Sequence, residues 1–232
     1  ASACNAFIVK NGIVITPPLD NQLLPGITRN MLIDILRKDG TIEVQERIVS
    51  MNEVYEADEI WITSSTKEIG AVNTIKFHNN ILSGYNTDYL GFYTSIKNIV
   101  NSNTKALILG TGGASKAIAY TLKILKIKYL FVSRSKKNKK YLNYNEISKE
   151  IINKHNLIIN CTPLGTFPEI NQIPQIPISL ITNRHIVYDL IYNPSKSLLL
   201  KKSEENGATI INGYQMLENQ AMESWKIWNS KH

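Results

Sequence analysis

At 232 residues, 43% of them hydrophobic, the chain can bury one large core or two small ones and is too apolar for a disordered protein. No run approaches the roughly 18 consecutive apolar residues of a membrane-spanning helix, and residues 1–16 lack the basic start and long apolar stretch of a secretory signal. Lysine and arginine outnumber aspartate and glutamate by 26 to 19. Much of that excess is the run Lys136-Lys137-Asn138-Lys139-Lys140, which reads as a solvated loop before it reads as a polyanion contact. Neither a membrane nor a nucleic acid is expected as a partner.

In chain order, Ala6–Val9 and Ile13–Thr16 flank Asn11-Gly12, a hairpin turn signal, and Pro17-Pro18 ends the second strand. Met31, Leu32, Ile35 and Leu36 share one face of a helix over 28–38, which Gly40 stops. A strand is expected over 44–49, a short helix over 51–57, a strand over 59–63 and a second hairpin over 71–85. Leu90–Val100 has helical spacing. From Lys105 the pattern becomes strand, glycine turn, helix, strand, covering 106–109, 115–125 and 129–132. Further strands fall at 157–160 and 186–190, proline-marked loops at 163–177, and a closing helix at 215–228. Strands alternating with helices imply an α/β fold: a doubly wound parallel, Rossmann-like sheet over 105–212, preceded by a smaller α/β segment. Cys4 and Cys161 match no metal-ligand or disulfide spacing and read as small buried hydrophobes in a reducing cytoplasm; no metal is expected.

Chemistry concentrates at Gly110-Thr111-Gly112-Gly113-Ala114-Ser115, which follows a strand and opens a helix. Glycines allow a tight turn and let backbone amides approach a pyrophosphate, while the helix N-terminus supplies unpaired N–H groups. At the end of the next strand a carboxylate would bind ribose hydroxyls, whereas this chain has Ser133-Arg134-Ser135. A guanidinium flanked by hydroxyls suits a 2′-phosphate, so the expected cofactor is NADP.

Six motifs then occur in one order: Gly70-Ala71-Val72-Asn73-Thr74, Gly84-Tyr85-Asn86-Thr87-Asp88, the glycine turn, Asn160-Cys161-Thr162-Pro163-Leu164-Gly165, Tyr188-Asp189-Leu190-Ile191-Tyr192-Asn193-Pro194, and Asn212-Gly213-Tyr214-Gln215-Met216-Leu217 with Gln220. With them residues 69–232 resemble the shikimate dehydrogenase family. The resemblance implies reversible, NADP-dependent reduction of 3-dehydroshikimate to shikimate, a step in aromatic amino acid biosynthesis. It implies that Asn73, Asp88, Tyr192 and Gln220 hold substrate, with Asp88 paired to a lysine in an acid–base dyad. For the cofactor it implies Gly110, Gly112, Gly113, Ala114, Ser133, Arg134, Ser135, Asn160, Thr162, Gly165, Gly213 and Met216. Each has a plainer reading: Asp88 as a helix cap, Asn73 and Asn86 as turn residues, Tyr192 as packing.

The family's Ser-x-Ser segment and its Asn-Val-Thr-x-Pro-x-Lys stretch, which carries the catalytic lysine, have no counterpart in residues 1–69. Lys67 stands only six positions before Asn73. Activity is therefore expected to be impaired or absent, an inactive designed chimera being one alternative. Residues 1–69 instead resemble part of a fold-type IV PLP aminotransferase, through 1–7, Leu24-Pro25-Gly26-Ile27-Thr28-Arg29 and 57–66. That resemblance implies a PLP-phosphate role for Ile27, Thr28 and Ser65, but places the Schiff-base lysine before residue 1, so PLP catalysis is not expected. The expected organisation is a chimera joined near 66–70: residues 1–69, a Rossmann-like domain over 88–212, and 70–87 with 213–232 as the rest of a substrate domain. The alternative is that 1–69 replaces the missing layer of that substrate domain.

Overall fold

In a computed structural model the structure describes residues 4–19, 27–64, 74–78, 81–134 and 140–230. The chain divides into two compact units, residues 1–90 with 218–232, and residues 91–217.

The first unit opens with β1 (Cys4–Lys10) and β2 (Ile13–Thr16), an antiparallel hairpin in which Lys10 pairs with Ile13 across a two-residue loop. Asn11 and Gly12 both take positive φ, 52° and 77°, as the mirror-image turn demands. Helix α1 (Ile27–Asp39), β3 (Val44–Glu46), α2 (Met51–Tyr55) and β4 (Glu59–Ser64) follow. They complete a four-stranded sheet of order β3-β2-β1-β4, in which β4 runs antiparallel to β1 and β3 parallel to β2. The strand expected over 44–49 stops at Glu46, whose carboxylate pairs with Arg29 and Arg37, each 2.8 Å away. Helix α2 ends at Tyr55, two residues short of the expected end, and begins at a capping box of Ser50 and Glu53.

A second hairpin, β5 (Thr74–His78) and β6 (Ile81–Tyr85), leads into α3 (Asp88–Ile96). That helix starts two residues before the apolar spacing suggests, where the Asn86 side chain accepts from Tyr89 N–H and sets the first turn, and it ends four residues before Val100.

The second unit contains six parallel strands: β7 (Lys105–Leu109), β8 (Lys128–Val132), β9 (Tyr141–Leu142), β10 (Leu157–Asn160), β11 (Ile186–Asp189) and β12 (Thr209–Ile211). Their order, β12-β11-β10-β7-β8-β9, is the doubly wound arrangement, with its switch point between β7 and β10. Burial explains the apolar runs. Ala106, Ile108, Leu157, Ile159 and Tyr188 point to one core, while Leu107, Leu109, Ile158 and Val187 point to the other. Helices α4 (Gly113–Ile124), α5 (Lys149–Lys154) and α6 (Leu198–Glu205) connect the strands, and α7 (Tyr214–Asn229) closes the chain. Spacing alone left β9, α5, α6 and β12 unassigned, each at most eight residues long. Inside α6, the Ser203 hydroxyl is fully buried and has no hydrogen-bond partner among the described residues. Replacing it removes an unsatisfied group, so Ser203→Ala is expected to raise stability by about 1 kcal/mol in denaturant titrations. A lowered midpoint would contradict this.

The first unit's core decides how residues 1–69 belong to the chain. Phe7, Val14, Leu32, Leu36 and Trp61 cluster with Trp228 of α7. The Trp61 and Trp228 rings stack at 4.7 Å and 4°, and Trp225 meets Trp61 edge-on at 6.3 Å. All three tryptophans of the sequence therefore share one cluster. Trp228 Nε1 donates to the Ile75 carbonyl (3.2 Å), and the buried Lys76 ammonium caps the C-terminus of α7 at Ile227 O (3.2 Å) and Ser230. The N-terminal segment thus packs as an integral layer on the C-terminal helix. Among the described residues no helix is long and apolar enough to cross a membrane.

Candidate dinucleotide and substrate sites

The glycine turn sits where β7 ends, beside the end of β10. Gly110 has φ +99°, and its N–H donates to Val132 O (2.8 Å), folding the turn over the end of β8. A Cβ at Gly110 would meet Thr162 Cγ2 at 3.1 Å and Cys161 O at 3.2 Å, so a side chain is excluded on both counts. Gly112 differs. It is the N-cap of α4, extended at φ −74° and ψ −170°, with no side chain capping the helix, and no atom lies within 4 Å of where its Cβ would be. Ser115 is turned away, its hydroxyl donating to Gly112 O at 2.7 Å. Uncapped amides at Gly113 and Ala114 with open space before them fit a pyrophosphate.

Ser133 and Arg134 follow β8 directly. Ser133 is buried, its N–H donating to Leu142 O at 2.9 Å, and Arg134 is exposed. Among the described residues no carboxylate pairs with Arg134. The guanidinium eases down the phenol of Tyr144, which burial pushes up. A free cation next to the glycine turn, with no acid in the ribose position, fits a 2′-phosphate. Ser135 lies outside the described residues.

Asn160 is fully buried, and its amide is spent on neighbours. Nδ2 donates to Asp189 Oδ1 (3.0 Å), and Oδ1 accepts from Thr162 N–H (3.0 Å) and Thr162 Oγ1 (2.7 Å). Gly165, at φ +100°, is buried with Gln172 O 3.1 Å from its would-be Cβ. Tyr192 is half-buried, and that burial pushes its phenol up. Gly213 N–H donates to Ile191 O (3.1 Å), and a Cβ there would fall 2.0 Å from Leu190 O. Met216 is buried in the core beside Phe92 and Tyr188. Asp189 and Ser197, which hold these loops together, were missed from the sequence; the signal was a carboxylate closing the otherwise apolar strand Ile186–Asp189.

In the first unit, Asp88 is half-buried in the first turn of α3, and the cap bond there comes from Asn86. Thr74, Thr87 and Ser224 form a buried hydroxyl cluster, with Thr74–Ser224 at 2.7 Å and Thr87–Ser224 at 3.1 Å. The Ser224 hydroxyl also donates to Gln220 O at 3.1 Å. This cluster fixes the segment bearing Asp88 against the helix bearing the buried Gln220. Lys10, one candidate to replace the missing lysine, is committed elsewhere: its ammonium lies 2.7 Å from Glu56. Lys67, Asn73 and Ser65 lie outside the described residues, as does the junction near 66–70. Ile27 and Thr28 open α1, with their side chains outside the described ones. Among the described residues no cluster of acids, histidines or cysteines could hold a metal ion.

Comparison with known proteins gives two findings. The family model described as amino-transferase class IV matches residues 1–75. Shikimate dehydrogenase (NADP(+)) of Clostridium botulinum is 40% identical over 81% of this chain and 73% of its own length. The same enzyme of Methanosphaera stadtmanae is 39% identical over 73% of this chain and 66% of its own. The chain thus spans about two thirds to three quarters of these relatives. Residues 69–232 are about 71% of the sequence, so a match over 81% reaches back beyond residue 69. The crystal structure of shikimate dehydrogenase from Aquifex aeolicus superposes with a TM-score of 0.73 at 28% identity, covering 96% of this chain and 94% of that one. The match to the Clostridium botulinum enzyme therefore overlaps the residues that the amino-transferase class IV model covers.

Proposed function

The chain belongs to the shikimate dehydrogenase family, and from that premise we propose that it binds NADP(H) at the glycine turn and interconverts 3-dehydroshikimate and shikimate with reduced efficiency. The observation that carries the proposal is the uncapped, open turn at the switch point, with unpaired Arg134 beside it. When bound, the nicotinamide would supply or accept the hydride. The chain's own part is to hold and orient. Amides of Gly113 and Ala114 take the pyrophosphate, and Arg134 with Ser133 and Ser135 takes the 2′-phosphate. Thr162, Gly165 and Gly213 bound the cofactor, with Met216 and Asn160 acting from the core behind them. Asn73, Asp88 and Gln220 hold the substrate hydroxyls.

Reduction of a ketone needs a proton donor beside the developing alkoxide, worth roughly 10²- to 10⁴-fold in rate. The lysine that the family pairs with the acid at Asp88 has no counterpart in 1–69, and Lys10 is held by Glu56. That is the physical reason for reduced turnover. The expected setting is the cytoplasm, where the small-molecule substrate and a reduced Cys161 are both available.

The test is shikimate-dependent reduction of NADP⁺, followed by cofactor absorbance, with Arg134→Glu beside the parent. Turnover above background is expected in the parent. In the variant, NADPH affinity is expected to fall by at least about tenfold relative to NADH, because a carboxylate replaces the cation facing a dianion. An unchanged NADPH-to-NADH ratio would remove Arg134 from the site; no turnover with cofactor bound would restrict the chain to binding.

The match over residues 1–75 favours a second, narrower reading, in which Ile27, Thr28 and Ser65 hold the phosphate of PLP. Incubation with PLP followed by washing tests it; loss of all visible absorbance dismisses covalent attachment.

A further inference from the structure

We propose that Asp189 is the positioning residue of the dinucleotide site: it fixes the amide of Asn160, and through it the rotamer of Thr162 against the glycine turn. The inference rests on reading that turn as a dinucleotide site. Asp189 is the last residue of β11 and the register partner of Asn160, the last of β10, which in turn lies beside Leu109 of β7. These residues form the final row of the sheet below its loops.

An Asn amide has two orientations of nearly equal shape, and only its partners choose between them. Here Asn160 Nδ2 donates to Asp189 Oδ1 (3.0 Å). That choice turns Asn160 Oδ1 toward Thr162, where it accepts from both N–H and hydroxyl. With its hydroxyl held, Thr162 presents Cγ2 to Gly110, at the position where a Cβ would approach within 3.1 Å. Were the amide reversed, Asn160 would face Thr162 N–H with two donors, leaving buried groups unpaired.

Asp189 serves the neighbouring loops through the same carboxylate. Its Oδ1 also accepts from Ile191 N–H (3.1 Å), and its Oδ2 from Ser197 Oγ (2.5 Å). The Ser197 hydroxyl accepts in turn from Leu200 N–H (3.3 Å) and so caps α6. Asn160 Nδ2 and the Ile191 N–H both donate to Oδ1, so that oxygen must be an acceptor, while the Ser197 hydroxyl at Oδ2 can either donate or accept. Burial pushes the carboxyl up to about 6, against the bonds from Ser197, Ile191 and Asn160 that lower it. Such a group buried within one hydrogen-bonded set makes its members act together.

The experiment titrates NADPH into the parent, Asp189→Ala, Asp189→Asn, Thr162→Ala and the Asp189→Ala/Thr162→Ala double variant, with unfolding followed in parallel. A parent that does not bind sinks the dinucleotide reading itself. Given binding, Asp189→Ala is expected to weaken it by about tenfold. Asp189→Asn stays within about threefold, since its Oδ1 still accepts from Asn160 and Ile191. The double variant is expected to be no weaker than Asp189→Ala alone, because both changes act on one rotamer. Parent-like affinity in folded Asp189→Ala, loss without rescue in Asp189→Asn, or additive losses in the double variant would each overturn the proposal. Should Asp189→Ala fail to fold, unchanged affinity in Thr162→Ala, at a partly exposed position, would overturn it equally.

Discussion

Gly213→Ala is expected to cost the chain its stable fold, whereas Gly112→Ala leaves the fold intact and weakens cofactor binding. A Cβ at Gly213 would stand 2.0 Å from Leu190 O, 2.5 Å from its carbonyl carbon and 3.0 Å from its Cα. These are backbone atoms of the segment that leaves β11, and no rotamer change moves them. Relief requires displacing either that segment or the start of α7, with loss of the Gly213–Ile191 bond (3.1 Å). The expected cost exceeds about 4 kcal/mol, in the range reserved for severe core damage. At Gly112 the same methyl meets no described protein atom and φ is an ordinary −74°, so the fold should hold, with only the modest loss of placing alanine at an N-cap. The methyl would occupy the approach of a pyrophosphate, however, and NADPH affinity should fall by at least about tenfold. Thermal unfolding and NADPH fluorescence separate the two effects. A Gly213→Ala midpoint equal to the parent's, or a Gly112→Ala protein binding as the parent does, would contradict the assignment.

The second large effect is expected at Trp228. Trp228→Ala removes a ring stacked on Trp61 at 4.7 Å and leaves Ile75 O without its donor. Truncating a buried tryptophan costs about 3–5 kcal/mol, and the aromatic pair adds about 0.5–1.5 kcal/mol beyond area. Because Trp61 belongs to the segment with the aminotransferase likeness, the variant also measures whether that segment depends on α7. The N-terminal sheet should become the first part cut in limited proteolysis. Parent-like protease resistance and midpoint would show that the sheet stands without the helix.

The hairpin at Asn11-Gly12 was legible because only a few residue types accept two successive positive φ values. The glycine turn was legible because strand, glycines and helix occur together, and burial on both faces of β7, β10 and β11 wrote itself as apolar runs. Other features leave no local trace. Strands β9 and β12, of two and three residues, are too short to show a period. The Trp61–Trp228 stack joins positions far apart in sequence, each unremarked in its own neighbourhood. Family likeness assigned Asn160 to the rim of the cofactor site, but its amide is turned inward onto Asp189 and Thr162. The aromatic core that Trp61 shares with Trp228 is likewise encoded by no motif.

Calorimetric titration of the unmodified chain with NADPH and with NADH, at one pH and ionic strength, tests the central claim most directly. Saturable NADPH binding at one site per chain, at least about tenfold tighter than NADH, is the predicted result. Equal affinities, or no NADPH binding, would contradict it.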